Sequence, residues 1–115
     1  MFFNSNNLRN VNYISLDEIS SLIQTHQLLI DLRSKEEYNQ DHIKGFINIP
    51  YPNFYQILPQ ISHLPLYLLC QTGKLSSKLA NELNNKGYQV YSFIGGFAHY
   101  KFCLLYTSPS PRDCS

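Results

Sequence analysis

One cysteine of this sequence, Cys70, lies between a short apolar run and a polar turn. The run, residues 66–69, has the length of a buried β-strand, and the turn contains Gly73. A serine pair beginning at Ser76 then opens a stretch with helical spacing. At such a junction backbone N–H groups and the positive end of a helix dipole converge, which favours a thiolate over a thiol. The pattern indicates a reactive cysteine, and the alternative is a small apolar residue that completes a buried strand.

The overall composition restricts the class of protein. The chain has 115 residues, of which 43% are hydrophobic, so it can form one domain with its own core. Its formal net charge is +1 and its basic residues are dispersed, so neither nucleic acid nor a membrane is an expected partner. No apolar run is long enough to cross a bilayer, and residues 1–7 lack the features of a signal peptide. A cytoplasmic protein is expected.

The cysteines and histidines are few and scattered. The chain has three cysteines without a C-x-x-C pair, and four histidines without ligand spacing. Neither a disulfide framework nor a metal site is predicted, and no cofactor is expected.

Apolar segments alternate with segments of helical spacing along most of the chain. The predicted strands are 11–14, 28–30, 46–49, 66–69 and 90–93. The predicted helices are 15–25, 34–40, one near Pro52 that Pro59 limits, 76–86, and a short one after 95–96. Ser15 and Ser34 each precede a glutamate by three residues, which is typical of a capping box. The alternation predicts an α/β fold with a parallel sheet, and ligands bind at the carboxyl ends of such strands, where Cys70 lies.

The composition changes after Lys101. Residues 102–115 contain two prolines and three serines and show no periodicity. The domain is therefore predicted to span 1–101, with its core at about 11–101. The tail 102–115 is interpreted as disordered and as a candidate for non-native sequence. Cys103 and Cys114 would then lie outside the domain.

Four motifs between Tyr13 and Lys101 resemble the rhodanese homology family. They read L-I-D-L-R followed by E-E-Y (29–38), D-H-I-K-G-F-I-N-I-P (41–50), C-Q-T-G-K-L-S (70–76) and G-G-F-A-H-Y (95–100). Asp41, Phe46 and Tyr100 depart from the family pattern. The resemblance implies a three-layer rhodanese-like α/β fold with a five-stranded, mostly parallel sheet flanked by helices.

The resemblance also implies a sulfurtransferase. In this reaction Cys70 attacks the outer sulfur of a donor, becomes a persulfide and passes that sulfur to a nucleophilic acceptor. The implied partners are a small anionic sulfur donor such as thiosulfate, or a protein persulfide donor, and a thiol or protein acceptor. The residues expected to bind substrate form the rest of the active-site loop: Gln71, Thr72, Gly73, Lys74, Leu75 and Ser76.

Some of these residues carry more specific expectations. Lys74 supplies a cation suited to an anionic donor. Ser76 is expected to cap the following helix, with a hydrogen bond to the sulfur as the alternative. Leu75 stands where many active members have arginine or another polar residue, so thiosulfate is expected to be a poor donor and a persulfide the better one. Asp31, Arg33 and His42 are expected to support the site structurally.

Two other functions fit parts of the pattern. The main alternative is a non-catalytic rhodanese-homology module for protein binding, which Leu75 favours, although such modules usually lack the cysteine or an intact loop. A phosphatase or arsenate reductase on the same fold is weaker, because those relatives place an arginine where Ser76 stands.

Overall fold

The computed structural model describes residues 9–106, with side chains as far as residue 104. The strands are β1 (Asn12–Ile14), β2 (Leu28–Asp31), β3 (Ile47–Asn48), β4 (Leu66–Leu69) and β5 (Val90–Phe93). The helices are α1 (Ile19–Gln24), which a 3-10 turn (Leu16–Glu18) precedes, α2 (Lys35–Gln40), α3 (Tyr51–Ile61), α4 (Lys74–Asn85) and α5 (Gly96–Tyr106). None of the helices in this range is long and apolar enough to span a membrane.

The five strands form one sheet in the order β1-β5-β4-β2-β3, and every pairing is parallel. Each residue of β4 is buried, as expected for a central strand that is covered on both faces. Leu28 pairs with Leu66 and Asp31 with Leu69, so β2 and β4 end at the same level. The prediction of an α/β fold with a five-stranded parallel sheet is confirmed.

Side chains of alternate residues in the strands enter two separate cores. On one face Ile30 and Leu68 pack in the same cluster as Phe54 of α3 and Leu83 of α4. On the other face Leu29, Leu69 and Phe93 pack with residues of the first helical segment and of α5. The molecule therefore has three layers, with β4 in the middle of the central one.

Helices α3 and α4 begin or end at residues other than those predicted. Helix α4 begins at Lys74, because Gly73 adopts a left-handed backbone conformation (φ +95°) that starts the helix two residues before Ser76. Helix α3 continues past Pro59 to Ile61. Pro59 costs the helix one N–H donor, but Leu58 and Ile61 on either side of it pack against the core and keep the last turn helical.

The two predicted capping boxes differ. At α2 the box is complete: Ser34 Oγ accepts from the Glu37 N–H, and Glu37 accepts from the Ser34 N–H. Ser15 Oγ instead accepts from the Asp17 N–H at 3.1 Å, which produces the 3-10 turn.

The last helix extends beyond the boundary predicted at Lys101. Helix α5 runs to Tyr106, and Cys103 within it is 4% exposed. Cys103, which the prediction placed outside the domain, is thus packed in it. Residues 107–115 lie outside the described residues, so the disorder expected there stays a prediction.

Candidate active site

Cys70 directly follows β4 at the carboxyl edge of the sheet, and it is 4% exposed. Its Sγ accepts hydrogen bonds from the backbone N–H groups of Gly73 at 3.1 Å and Ser76 at 3.3 Å. Ser76 Oγ lies 3.4 Å from the same sulfur. Because N–H donors stabilise negative charge on the atom they contact, the loop forms a small cradle for an anionic sulfur.

Both N–H donors result from the way in which α4 begins. Gly73 precedes the helix with a φ of +95°, which turns its N–H toward the sulfur and which side-chain-bearing residues rarely adopt. Ser76 is the third residue of α4, and N–H groups of a first turn have no acceptor within the helix. Of the two roles expected for Ser76, the helix cap is therefore wrong: Ser76 lies inside the helix, and its backbone N–H donates to the sulfur.

A group of buried serine hydroxyls anchors this first turn to β5. Ser92 Oγ lies 2.7 Å from Ser76 Oγ and 3.3 Å from Ser77 Oγ, and Ser77 Oγ donates to the Gly73 carbonyl at 2.6 Å. Ser92 is fully buried. Sequence reasoning missed Ser92, and its one local signal was a serine inside an apolar strand.

The first turn of α5 forms hydrogen bonds with the active-site loop. The backbone N–H groups of Phe97 and Ala98 each donate at 2.9 Å, to the carbonyls of Cys70 and Gln71 respectively. A Cβ on Gly96 would lie 2.5 Å from the Cys70 oxygen and 2.8 Å from the Gln71 oxygen. Only glycine fits this close approach of two backbones. The G-G motif contributed to the resemblance, but its contact with the loop was not predicted.

Asp31 and Arg33 form a buried ion pair at the end of β2. Their side chains meet at 3.0 Å, and Asp31 also accepts from the Arg33 backbone N–H at 2.9 Å. Arg33 donates to the Asp41 carbonyl at 2.8 Å, and its guanidinium carbon lies 3.7 Å from the centre of the Phe97 ring. Phe97 also donates its backbone N–H to the Cys70 carbonyl, so the ion pair is linked to the loop through α5, and Arg33 is paired with Asp31.

His42 lies apart from the sulfur, in the turn after α2. Its Nδ1 is 2.9 Å from the Tyr38 carbonyl oxygen, so Nδ1 carries the donating proton, and its ring stacks on that of Tyr38 at 3.9 Å. It does not line the cavity at Cys70. Its contacts are those of a turn residue.

A cavity of about 310 Å³ opens at Cys70 between the active-site loop and the segment after β2. Leu32 and Leu75 contribute apolar lining, whereas Lys74 and Glu37 contribute exposed charges of opposite sign. Gln71 and Thr72 complete the loop side. Of the predicted loop residues, Gly73 and Ser76 hold the sulfur, and the other four line the cavity.

Within the described residues, no group of three or more His, Cys, Asp or Glu side chains is arranged to hold a metal ion. The site offers a thiol, backbone N–H donors and one lysine to a substrate that enters the cavity.

Comparison with known proteins identifies the family. Residues 15–103 match the model of the rhodanese-like domain. The chain is 41% identical over 85 residues to the tRNA sulfurtransferase of Desulfurococcus amylolyticus, a match that spans 74% of this chain and 17% of that protein. It is 31% identical over 98 residues to the thiosulfate sulfurtransferase GlpE of Tolumonas auensis, across 83% of this chain and 92% of that protein.

A solved structure supports the same assignment at the level of the fold. The crystal structure of a rhodanese-like domain protein from Staphylococcus aureus superposes with a TM-score of 0.64 at 22% identity, over 75% of this chain and 87% of that one. The chain belongs to the rhodanese-like domain family.

Proposed function

We propose that this protein is a sulfurtransferase that uses Cys70 as its nucleophile. The observation that carries the proposal is the pair of backbone N–H groups, from Gly73 and Ser76, that donate to the Cys70 sulfur at the base of an open cavity. Such donors lower the energy of a thiolate and of the anionic persulfide that follows it. The relatives named as sulfurtransferases support the class of reaction.

The reaction proceeds in two displacements. The Cys70 thiolate attacks the outer sulfur of the donor, the S–S bond of the donor breaks, and its other half leaves with the electron pair as a thiolate or as sulfite. Cys70 then carries a persulfide. In the second step a nucleophilic acceptor attacks the outer sulfur, and the Cys70 thiolate leaves. No external oxidant or reductant is consumed.

The cavity favours a low-molecular-weight persulfide over thiosulfate as the donor. Thiosulfate is a compact dianion, and Lys74 is opposed by Glu37 on the other side of the cavity. Arg33 also lines the cavity but is paired with Asp31. Leu75 is partly buried against the core and offers no donor to an oxyanion. A protein persulfide that reaches into the cavity is the other donor we propose.

The acceptor that we propose is a thiol, on a small molecule or a protein. The net charge of +1 lacks the excess of basic residues that nucleic-acid binding requires. The relative whose name includes tRNA is matched over 17% of its length. A nucleophilic thiol that must stay reduced fits a cytoplasmic protein.

Mass spectrometry of the intact protein, followed by analysis of the peptide that carries Cys70, tests the proposal. The protein is incubated with thiosulfate or with glutathione persulfide, beside a Cys70→Ser variant, and the peptide that carries Cys70 is then analysed. We expect a gain of one sulfur atom at Cys70, absent from the variant and removed by cyanide or excess thiol. Failure of both donors to load Cys70 would refute the proposal and favour the protein-binding module.

The donor preference has its own test. In the protein without substitutions, glutathione persulfide should transfer sulfur to Cys70 faster than thiosulfate does. Leu75→Arg should raise the thiosulfate rate by about tenfold, the effect of one charge-assisted hydrogen bond to an oxyanion. Leu75→Met, which keeps the apolar lining, is the matched control. A thiosulfate rate that is equal in the two variants would contradict the role given to Leu75.

A further inference from the structure

A second cavity, of about 530 Å³, adjoins the active-site loop. Its lining includes residues of β1 and β5, whereas the lining of the Cys70 cavity includes residues that follow β2. The loop after β4 forms a wall common to both cavities, through Thr72, Lys74 and Leu75. Crevices at this edge are the usual ligand sites of parallel α/β sheets. The volume falls within the range of small-molecule sites, roughly 300–1,000 Å³.

The charged residues of this cavity have one sign. Lys74 and Lys78, one helical turn apart on α4, are the charged side chains that the described residues contribute to its lining, and both are exposed. Neither forms an ion pair with another described residue. Two ammonium groups one turn apart repel each other and attract an anion. Neither is paired with Glu37, which lines the Cys70 cavity with Lys74, or with Glu82, which follows Lys78 by one turn.

The opposite side of the cavity is apolar. Tyr13 and Ile94 are each 52% exposed, which is high for large apolar side chains, and both contribute to the lining. Tyr13 is the middle residue of β1 and Ile94 directly follows β5, and these two strands are paired, so both side chains lie near this end of the sheet. An occupant that covers them needs an apolar or aromatic body in addition to its negative charge.

We propose that this cavity binds a small organic anion with a flat apolar body, whose carboxylate or sulfonate contacts Lys74 and Lys78. The body of the ligand lies against Tyr13 and Ile94. This site adjoins the cavity at Cys70 and shares Thr72, Lys74 and Leu75 with it, but it does not include the sulfur, and the proposal does not depend on sulfur transfer. Gly73, which donates to the Cys70 sulfur, lines the second cavity, so binding there alters the reactivity of Cys70.

The binding experiment titrates the full chain with 2-naphthalenesulfonate and follows backbone amide shifts by NMR. We expect one binding event, with shifts concentrated at Tyr13, Lys78 and Ile94. The uncharged 2-naphthalenemethanol should bind about fivefold more weakly or worse, as for the loss of one exposed ion pair. Lys78→Gln should weaken naphthalenesulfonate binding by a similar factor.

Lys86→Gln is the matched control, since Lys86 is an exposed lysine at the C-terminal end of the same helix and does not line the cavity. Equal binding by the Lys78 and Lys86 variants would overturn the proposal. Equal affinity for the charged and uncharged naphthalenes would do the same. Shifts centred on Leu32 and Glu37 would assign the anion to the Cys70 cavity and also refute it.

The coupling is measured as the rate at which iodoacetamide alkylates Cys70, quantified on the peptide that contains it. Saturation with 2-naphthalenesulfonate should change this rate by about fivefold or more. Alkylation does not require sulfurtransferase activity, so this readout holds even if no donor loads Cys70. An unchanged rate in the saturated protein would refute the coupling between the cavity and the sulfur.

Discussion

Replacing Gly96 by alanine tests whether the contact between α5 and the active-site loop controls Cys70. The new Cβ would lie 2.5 Å from the Cys70 oxygen and 2.8 Å from the Gly73 nitrogen, so the loop or α5 must move. Movement weakens two hydrogen bonds, which Phe97 and Ala98 donate to the loop carbonyls. It also displaces the Gly73 N–H that donates to the sulfur.

The chain supplies a matched control at Gly87. Both glycines have a positive φ, +65° at Gly96 and +99° at Gly87, so alanine is strained at either position. A Cβ on Gly87 would meet nothing within 4 Å. The left-handed strain costs about 1–2 kcal/mol in each variant. The weakened hydrogen bonds of Gly96→Ala add about 1–3 kcal/mol.

Two assays separate strain from loop displacement. Urea denaturation should show a free energy of unfolding that falls by about 1–2 kcal/mol in Gly87→Ala and by about 2–5 kcal/mol in Gly96→Ala. Under native conditions the rate of sulfur loading at Cys70 should fall by about tenfold or more in Gly96→Ala, as for the loss of one hydrogen bond to a charged group. It should stay unchanged in Gly87→Ala. If the two variants match in stability and in loading rate, the reasoning about the loop is wrong.

Three further changes test other contacts. Ser92→Ala should lower the free energy of unfolding by about 1–3 kcal/mol, because two buried hydroxyls of α4 lose a partner, and urea denaturation against the exposed-site variant Ser20→Ala measures this. Arg33→Met should lower the free energy of unfolding by about 3–5 kcal/mol in the same assay, because the Asp31 carboxylate is left buried and unpaired. A decrease of less than about 1 kcal/mol would contradict the structure. The hydrogen bond from Lys101 holds the pKa of Asp41 below its usual 3.8, so this contribution to stability is present above pH 3.8 and is lost as the pH falls through the lower folded pKa. NMR titration of the Asp41 carboxyl group should show the lowered pKa, and Lys101→Met should return it toward 3.8.

Features that depend on neighbouring residues could be predicted from the sequence. The apolar run of β4 predicts a buried central strand, and the structure confirms it. The spacing of Ser34 and Glu37 predicts the capping box of α2, which is complete in the structure. The position of Cys70 after β4 follows in the same way. These interactions join residues that are close along the chain, so the local pattern contains the information.

The local sequence pattern did not predict where α4 begins, because the backbone conformation before it is unusual. The apolar spacing of α4 is compatible with a start at either Lys74 or Ser76, and the left-handed conformation of Gly73 selects Lys74. As a result Ser76 donates its backbone N–H to the sulfur rather than capping the helix.

The partners of the loop were decided by the tertiary structure. The strand order places β5 beside β4, which brings Ser92 under the Cys70 loop, and the path of α5 brings Gly96 against the loop carbonyls. The second cavity likewise requires β1 to lie beside β5. The residue pattern alone places the thiol directly after a buried strand. Its surroundings come from residues that are distant in sequence, and strand order and helix packing, which no local pattern encodes, bring them together.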